Sequence, residues 1–131
     1  QEFALTTETL KELLPEINEK AQEIGLKFLW YTPTQYCQLN PVQLGLGIKS
    51  CTAAMINACV GPNGDVYPCQ SYFESLGNIL SEPWEKIWSK PLAEKLRNRE
   101  YVEPKCKECA TLQECGGGCP LELESKQHIC S

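Results

Sequence analysis

The order of the cysteines limits this chain more than any other feature. Nine occur among its 131 residues. Five of them form a dense tail: Cys106-x2-Cys109-x5-Cys115-x3-Cys119, then ten residues and Cys130. Upstream, Cys51 is followed by twelve residues, Gly64, four residues and Cys69. Such density has three explanations, namely disulfides, zinc or iron–sulfur clusters. Two cysteines separated by two residues lie on one tight turn with both sulfurs aimed at one metal centre. A cubane must be gripped at four corners, so a further ligand arrives five residues on. Cys119 lies across Gly116, Gly117 and Gly118 from Cys115 and can face a second cluster, as one cysteine of the run does in bacterial ferredoxins. Those glycines carry no Cβ, which lets backbone pass close to an inorganic core with its N–H groups aimed at the sulfides. Such hydrogen bonds stabilise the more negative, reduced state and help set the potential.

Composition narrows the setting. With 17 acidic against 12 basic residues the formal charge is −5. Nonspecific nucleic-acid binding, which needs a basic surface to displace counterions, is not expected. No apolar run approaches the ~20 residues needed to span a bilayer, so no membrane partner is expected. The chain opens on Gln1-Glu2-Phe3 with neither an initiator Met nor a basic-then-apolar leader, and its start reads as trimmed. Cytosolic thiols are kept reduced, so Cys-x2-Cys grouping there favours metal over disulfide, and a cytoplasmic location is expected.

Residues 6–24 read as an amphipathic helix, with Leu10, Leu13, Leu14, Ile17, Ala21 and Ile24 on one face. Thr6 or Thr7 caps it, Gly25 suits the position after its end, and Pro15 bends it or starts a second segment. Residues 26–31 form a β-prone run of the buried-strand type. One helix and one strand cannot cover both faces of that strand, so residues 1–35 read as the edge of a larger sheet. Residues 36–50 are loop-like. Residues 57–69 read as a hairpin around Pro62-Asn63-Gly64, in which Gly61 faces Asp65, Cys59 faces Tyr67 and Asn57 faces Cys69. Residues 82–99 read as a helix in two pieces broken near Pro91, with Trp84, Ile87, Trp88, Leu92 and Leu96 as a buried stripe. From Pro104 onward the sequence is mostly cysteine, glycine and short polar links. Residues 51–131 hold so few large apolar residues outside that helix that the cysteines are the available staples. His128, the only histidine, reads as a surface residue beside Cys130.

The pattern Cys-x(9–15)-Gly-x4-Cys, gap, Cys-x2-Cys-x5-Cys-x3-Cys, gap, Cys resembles the seven-cysteine signature of the SPASM domain. Cys51, Gly64, Cys69, Cys106, Cys109, Cys115, Cys119 and Cys130 all fit it. The flanking Pro62-Asn63-Gly64-Asp65-Val66-Tyr67-Pro68-Cys69, Leu76-Gly77-Asn78-Ile79-Leu80 and Cys115-Gly116-Gly117-Gly118-Cys119-Pro120 also look like the family. The resemblance covers about residues 50–131, while residues 6–31 look like the last helix and strand of the partial barrel that precedes it. It implies an α+β fold: a small cysteine-rich domain of hairpin, helices and metal-stapled loops at residues 36–131, after the barrel edge at residues 1–35.

The resemblance further implies two [4Fe–4S] clusters serving electron transfer and substrate docking. The parent would be a radical-SAM enzyme, an oxidoreductase that matures peptides or proteins and uses S-adenosylmethionine. Family usage gives Cys51, Cys69 and Cys119 to a first cluster and Cys106, Cys109, Cys115 and Cys130 to a second. Gly64, Gly116, Gly117 and Gly118 accompany them as cofactor-binding glycines. The fourth ligand of the first cluster stays open between Cys59, Cys37 and a vacant iron; on the hairpin register Cys59 is a diagonal neighbour of Cys69. Implied partners are the radical-SAM barrel of the same polypeptide, a peptide or protein substrate and an electron donor such as ferredoxin or flavodoxin. The SAM-cleaving motif Cys-x3-Cys-x2-Cys does not occur, because Cys115-x3-Cys119 is followed by Glu122 where its third cysteine belongs. No SAM cleavage is therefore expected of these residues alone. The competing reading is a structural zinc-binding interaction domain, with zinc or disulfides in the same cysteines.

Overall fold

A computed structural model describes residues 5–129. Its described residues form six helices and one three-stranded antiparallel sheet, an α+β architecture. The chain divides into two compact units. One runs through Cys51 and adds Lys105–Cys119, and the other holds Thr52–Pro104 and the helix that begins at Pro120. No helix among the described residues is long and apolar enough to cross a membrane.

The first unit opens with α1 (Thr7–Glu23). The Thr6 hydroxyl accepts from the Thr9 N–H at 3.1 Å, satisfying a donor that the first turn leaves without a partner. At the other end the Gly25 N–H donates to Gln22 O and the Leu26 N–H to Ala21 O, the paired bonds of a Schellman ending. Pro15 lies inside a single continuous helix and does not start a second segment. Only Leu14 of α1 is buried. Residues 26–31 differ from the sequence expectation. They form no regular element and pair with no strand among the described residues, and Leu26, Leu29 and Tyr31 are 62%, 51% and 70% exposed. A strand needs a neighbouring edge for its N–H and C=O groups, and no described strand supplies one here. The expected partial barrel is thus not seen. Residues 36–50 are turns, as expected.

The second unit is built on the sheet. Strand β1 (Cys59–Val60) pairs with β2 (Asp65–Tyr67) in the expected register, Cys59 opposite Tyr67 and Val60 opposite Val66. The ladder stops there. Ala53 bridges Asn57 and Cys69 bridges Tyr72, so the expected Asn57–Cys69 pair is not made. A third strand, β3 (Gly77–Asn78), adds to the far side of β2 and was not foreseen. Asn78 explains its position: its amide nitrogen donates to Asn63 O and Asp65 Oδ1, and its Oδ1 accepts from the Leu80 N–H. Gly64 sits under this clasp at φ +86, where an added Cβ would stand 2.8 Å from Leu80 Cγ and 2.9 Å from Asn78 Oδ1. The hairpin tip therefore admits only glycine there.

Helices α2 (Trp84–Trp88) and α3 (Pro91–Arg97) are the two expected pieces, with Pro91 opening the second. Ile87 and Leu96 are buried as expected, and Ala93 joins them. Trp84 does not: it is 45% exposed and stacks on Trp88, ring centroids 4.9 Å apart. Because α2 is only five residues long, two turns of stripe cannot all face inward. With Val66, Leu76, Tyr72, Val102 and Leu123 these side chains form the core, each large one contributing roughly 1.5–3 kcal/mol by burial. Helix α6 (Pro120–Ile129) replaces the polar link expected after Cys119. Its Glu124 carboxylate accepts from the Tyr72 hydroxyl at 3.2 Å. Burial, with the Glu124 charge adding to it, pushes the Tyr72 phenol up to about 12, so it remains a donor.

Arg97 ties this unit together. Its Nη1 donates to Ala54 O at 3.1 Å and its Nη2 to Trp88 O at 2.6 Å. Ala54 is fully buried at φ +53, a backbone conformation that needs outside support. Arg97→Ala should lower stability by about 2–4 kcal/mol in denaturant titration, because a charged donor is lost and two carbonyls are left without it. Arg97→Lys should recover less than half of that loss, since an ammonium cannot span both carbonyls. Full recovery by lysine would mean that charge alone matters.

Candidate metal centre

The run from Lys105 to Cys119 contains Leu112 as its one large apolar side chain, and local backbone bonds shape it. Helical turn α4 (Pro104–Lys107) carries Cys106, and the Cys109 N–H donates to Cys106 O at 3.1 Å. This closes the Cys-x2-Cys turn in the way its spacing predicts. Turn α5 (Leu112–Cys115) follows, with the Leu112 N–H on Cys109 O and the Cys115 N–H on Thr111 O. Cys106, Cys109 and Cys115 all line one cavity of about 240 Å³.

Residues far away in sequence complete this cavity. Gln35, Tyr36, Cys37 and Asn40 form its other wall. The Tyr36 N–H donates to Cys115 Sγ at 3.3 Å, while that sulfur, as a thiol, donates to Thr34 O at 3.8 Å. Gln35 is 6% exposed; its Nε2 donates to Cys106 Sγ at 3.9 Å, and its Oε1 accepts from Gln38 Nε2 at 2.6 Å. That second bond fixes which end of the amide faces the sulfur. Cys115 is buried and Cys109 is exposed. Hydrogen bonds from Thr111, first its hydroxyl at 3.3 Å and then its backbone, hold the Cys109 thiol below its usual range and favour the thiolate that binds metal.

The three glycines make room for neighbouring protein segments. Gly116, Gly117 and Gly118 are buried at φ +69, +80 and +94. Gly117 lines the cavity itself. A Cβ on Gly116 would stand 2.8 Å from Ser50 Cβ, and one on Gly118 would stand 3.1 Å from Gln35 Cγ. Their missing side chains therefore let residues 35 and 50 close in on the cysteine run. The packing of Gly116 against Ser50 also brings the backbone of Cys51 within 3.5 Å of the same point. Gly64 belongs to the hairpin tip, where local packing accounts for it.

The other cysteines divide between the units. Cys37, Cys51 and Cys119 belong to the first, and Cys59 on β1 and Cys69 just beyond β2 belong to the second. Cys130 and the side chain of His128 lie outside the described residues. Cys37, an open alternative for the cluster of Cys51, Cys69 and Cys119, is among the residues that line the cavity of Cys106, Cys109 and Cys115. The sequence reading missed Gln35, Tyr36 and Thr111. Thr111 carries a local signal, a hydroxyl two residues from a cysteine, but nothing in the spacing joins residue 35 to residue 106.

The donor set suits iron and sulfur. No disulfide joins any two of the eight described cysteines. Among the described residues no three ligand side chains gather closely enough for a single metal ion. A cubane does not require that, because each cysteine binds a different iron corner, and backbone N–H groups aimed at sulfur serve its charge.

Removing a ligand from this run should undo it as a unit. Cys106→Ala, Cys109→Ala and Cys115→Ala should each release the bound metal. Amide exchange over residues 105–119 should then quicken by a factor of about 100 or more, ~3 kcal/mol of lost local stability. Thr111→Val should keep the metal. Unchanged exchange in all three cysteine variants would show that the run stands without metal.

Comparison with known proteins agrees with this chemistry. Residues 51–110 match the family model of SPASM, described as an iron–sulfur cluster-binding domain. No curated protein and no solved structure matches the chain. The matched stretch includes Cys51, Cys59, Cys69, Cys106 and Cys109, and the cavity's third signature cysteine, Cys115, follows five residues beyond it. On the cysteine order, the cysteine-lined cavity and this match, residues 51–110 are similar to SPASM, a family of iron–sulfur cluster-binding domains.

Proposed function

We propose that this chain is the auxiliary-cluster part of a radical-SAM enzyme that modifies a peptide or protein, and that it carries two [4Fe–4S] clusters. The observation that carries this reading is the set of signature cysteines, Cys106, Cys109 and Cys115, lining one cavity in a chain with a SPASM match. Bound there, a cluster supplies a one-electron acceptor and donor of low potential. The chain's own part is to present thiolates, aim the Tyr36 N–H and the Gln35 amide at sulfur, and keep water from the Cys115 side. A second cluster on Cys51, Cys69 and Cys119 rests on the signature spacing, and Cys59 as its fourth ligand rests on its place in the hairpin, opposite Tyr67 and so near Cys69.

A barrel in the same polypeptide fits α1 and residues 26–31, in which Leu26, Leu29 and Tyr31 are exposed. The Trp30 Nε1 is shielded from water and has no acceptor among the described residues. An apolar segment of strand-like composition that pairs with no described strand is suited to the edge of a sheet. The formal charge of −5, made more negative by thiolates, favours a basic region on a peptide substrate or on an electron donor of the ferredoxin or flavodoxin kind. A cytoplasmic setting fits thiolates that must stay reduced.

Anaerobic reconstitution should give about eight iron and eight acid-labile sulfide per chain. About two zinc and no sulfide would instead establish the structural zinc reading. The chain by itself should produce no 5′-deoxyadenosine from S-adenosylmethionine with a strong reductant, since Cys-x3-Cys-x2-Cys is missing. Detecting that product would refute the division of roles. Cys59→Ala should alter the spectrum of one cluster and regain it with added thiol; an unchanged spectrum would leave that cluster with an open iron.

A further inference from the structure

We infer that the Gln35 amide raises the reduction potential of the cluster served by Cys106, Cys109 and Cys115, and that Gln38 is the positioning residue that orients it. The inference rests on the cluster reading above and deepens it by naming the side chains that tune one of the two sites.

Gln35 is 6% exposed, and an amide withdrawn from water must have its hydrogen bonds replaced by the protein. Its Oε1 accepts from Gln38 Nε2 at 2.6 Å, and its Nε2 donates to Cys106 Sγ at 3.9 Å. The two bonds depend on each other. A thiolate only accepts, so the NH2 end of the amide is the end that serves a metal-bound Cys106. Oε1 then points away and needs a donor, which Gln38 supplies. Without that donor nothing favours this orientation, and the amide can turn its oxygen, the negative end of its dipole, toward the sulfur. Hydrogen bonds to an ionised acceptor are also shorter and stronger than those to a neutral one.

One turn holds both glutamines. The Gln38 and Leu39 N–H groups donate to Gln35 O at 2.8 and 2.9 Å, which brings position 38 back toward position 35. Leu39 is buried, and its carbonyl accepts from the Thr34 hydroxyl at 2.8 Å, so the turn is anchored. Beside Gln35, the Tyr36 N–H donates to Cys115 Sγ at 3.3 Å. Gly118 packs against the Gln35 stem: a Cβ there would stand 3.1 Å from Gln35 Cγ and 3.4 Å from its backbone nitrogen. The stem is held, and rotation of the terminal amide is the freedom that Gln38 removes.

Reduction adds negative charge that spreads onto the ligand sulfurs. An N–H dipole aimed at one of them stabilises the reduced state more than the oxidised one, which raises the potential. In a buried setting the low local dielectric strengthens that effect. The Tyr36 N–H acts in the same sense, but it is a backbone group that every residue except proline provides. Gln35 is therefore the side chain through which the sequence sets the potential here.

The test is an anaerobic redox titration of the reconstituted chain, followed by paramagnetic resonance of its reduced clusters. Gln35→Met keeps the stem and removes the amide. We expect it to shift one cluster to a more negative potential and to leave the other unchanged. Gln38→Met, at an exposed position, should shift the same cluster in the same direction by less. Added to Gln35→Met it should shift nothing further, because it acts through the amide. Unchanged potentials in Gln35→Met, or shifts that add in the double variant, overturn the inference and leave the cluster reading intact. If Gln35→Met takes up no iron, Gln38→Met decides alone, and wild-type potentials in it overturn the inference. A wild-type chain that holds zinc and no sulfide overturns both readings.

Discussion

A stretch of protein stays folded when what holds it outweighs the ~1–2 kcal/mol of backbone entropy lost per ordered residue. From Lys105 to Cys119 this chain sets only Leu112 and a handful of turn hydrogen bonds against that cost. Three consecutive glycines make the loss larger, since glycine has the most freedom to lose. Metal–thiolate bonds would supply the missing stabilisation, and residues 34–35 and Ser50 of the first unit pack against the run. The buried Gln35 finds its partners in Cys106 and Gln38. Apolar burial is nearly irrelevant to that site, whereas in the second unit it does the ordinary work through Val66, Leu76, Ile87 and Leu96.

That contrast explains which features could be read from the sequence. The Cys59–Tyr67 register followed from a turn dictated by Pro62-Asn63-Gly64, since a hairpin's loop fixes its pairing. The break at Pro91 and the cap at Thr6 followed from equally local chemistry. The cysteine run was legible because ligand spacing is itself a local property. What escaped was long-range. Strand β3 depends on the Asn78 side chain reaching back to Asn63, and no periodicity announces that bond. The ladder ends before Cys69 because Ala54 N–H donates to Pro68 O and competes for the backbone there. Residues 26–31 have the composition of a strand, yet composition cannot create the neighbouring edge that a strand requires.

The donors around the cysteine sulfurs illustrate the same boundary more sharply. A spacing motif names the atoms that bind metal but not the donors that tune them, because those donors come from wherever the fold brings them. Tyr36 contributes only its backbone N–H, which every residue but proline possesses. No side-chain signal at position 36 marks that role. Gln35 is chemically marked, but burial rather than sequence reveals it, since a 6% exposed amide must find partners.

The cavity's asymmetry bears on what a cluster there is able to do. Cys115 is buried beneath the Tyr36 N–H, and Cys109 stands in water beside Thr111. Burial alone disfavours an added electron, because a more negative core loses solvation. A directed N–H group opposes that penalty at fixed geometry, without reorienting when the charge arrives, and so favours fast exchange. On the exposed side Cys109 would hold a bound cluster close to solvent, where it would supply one-electron chemistry. The site is thus buried and donor-lined at Cys115 and open to water at Cys109. Thr111 supports that arrangement from the solvent side by stabilising charge on Cys109 where no burial helps to hold the ligand in place.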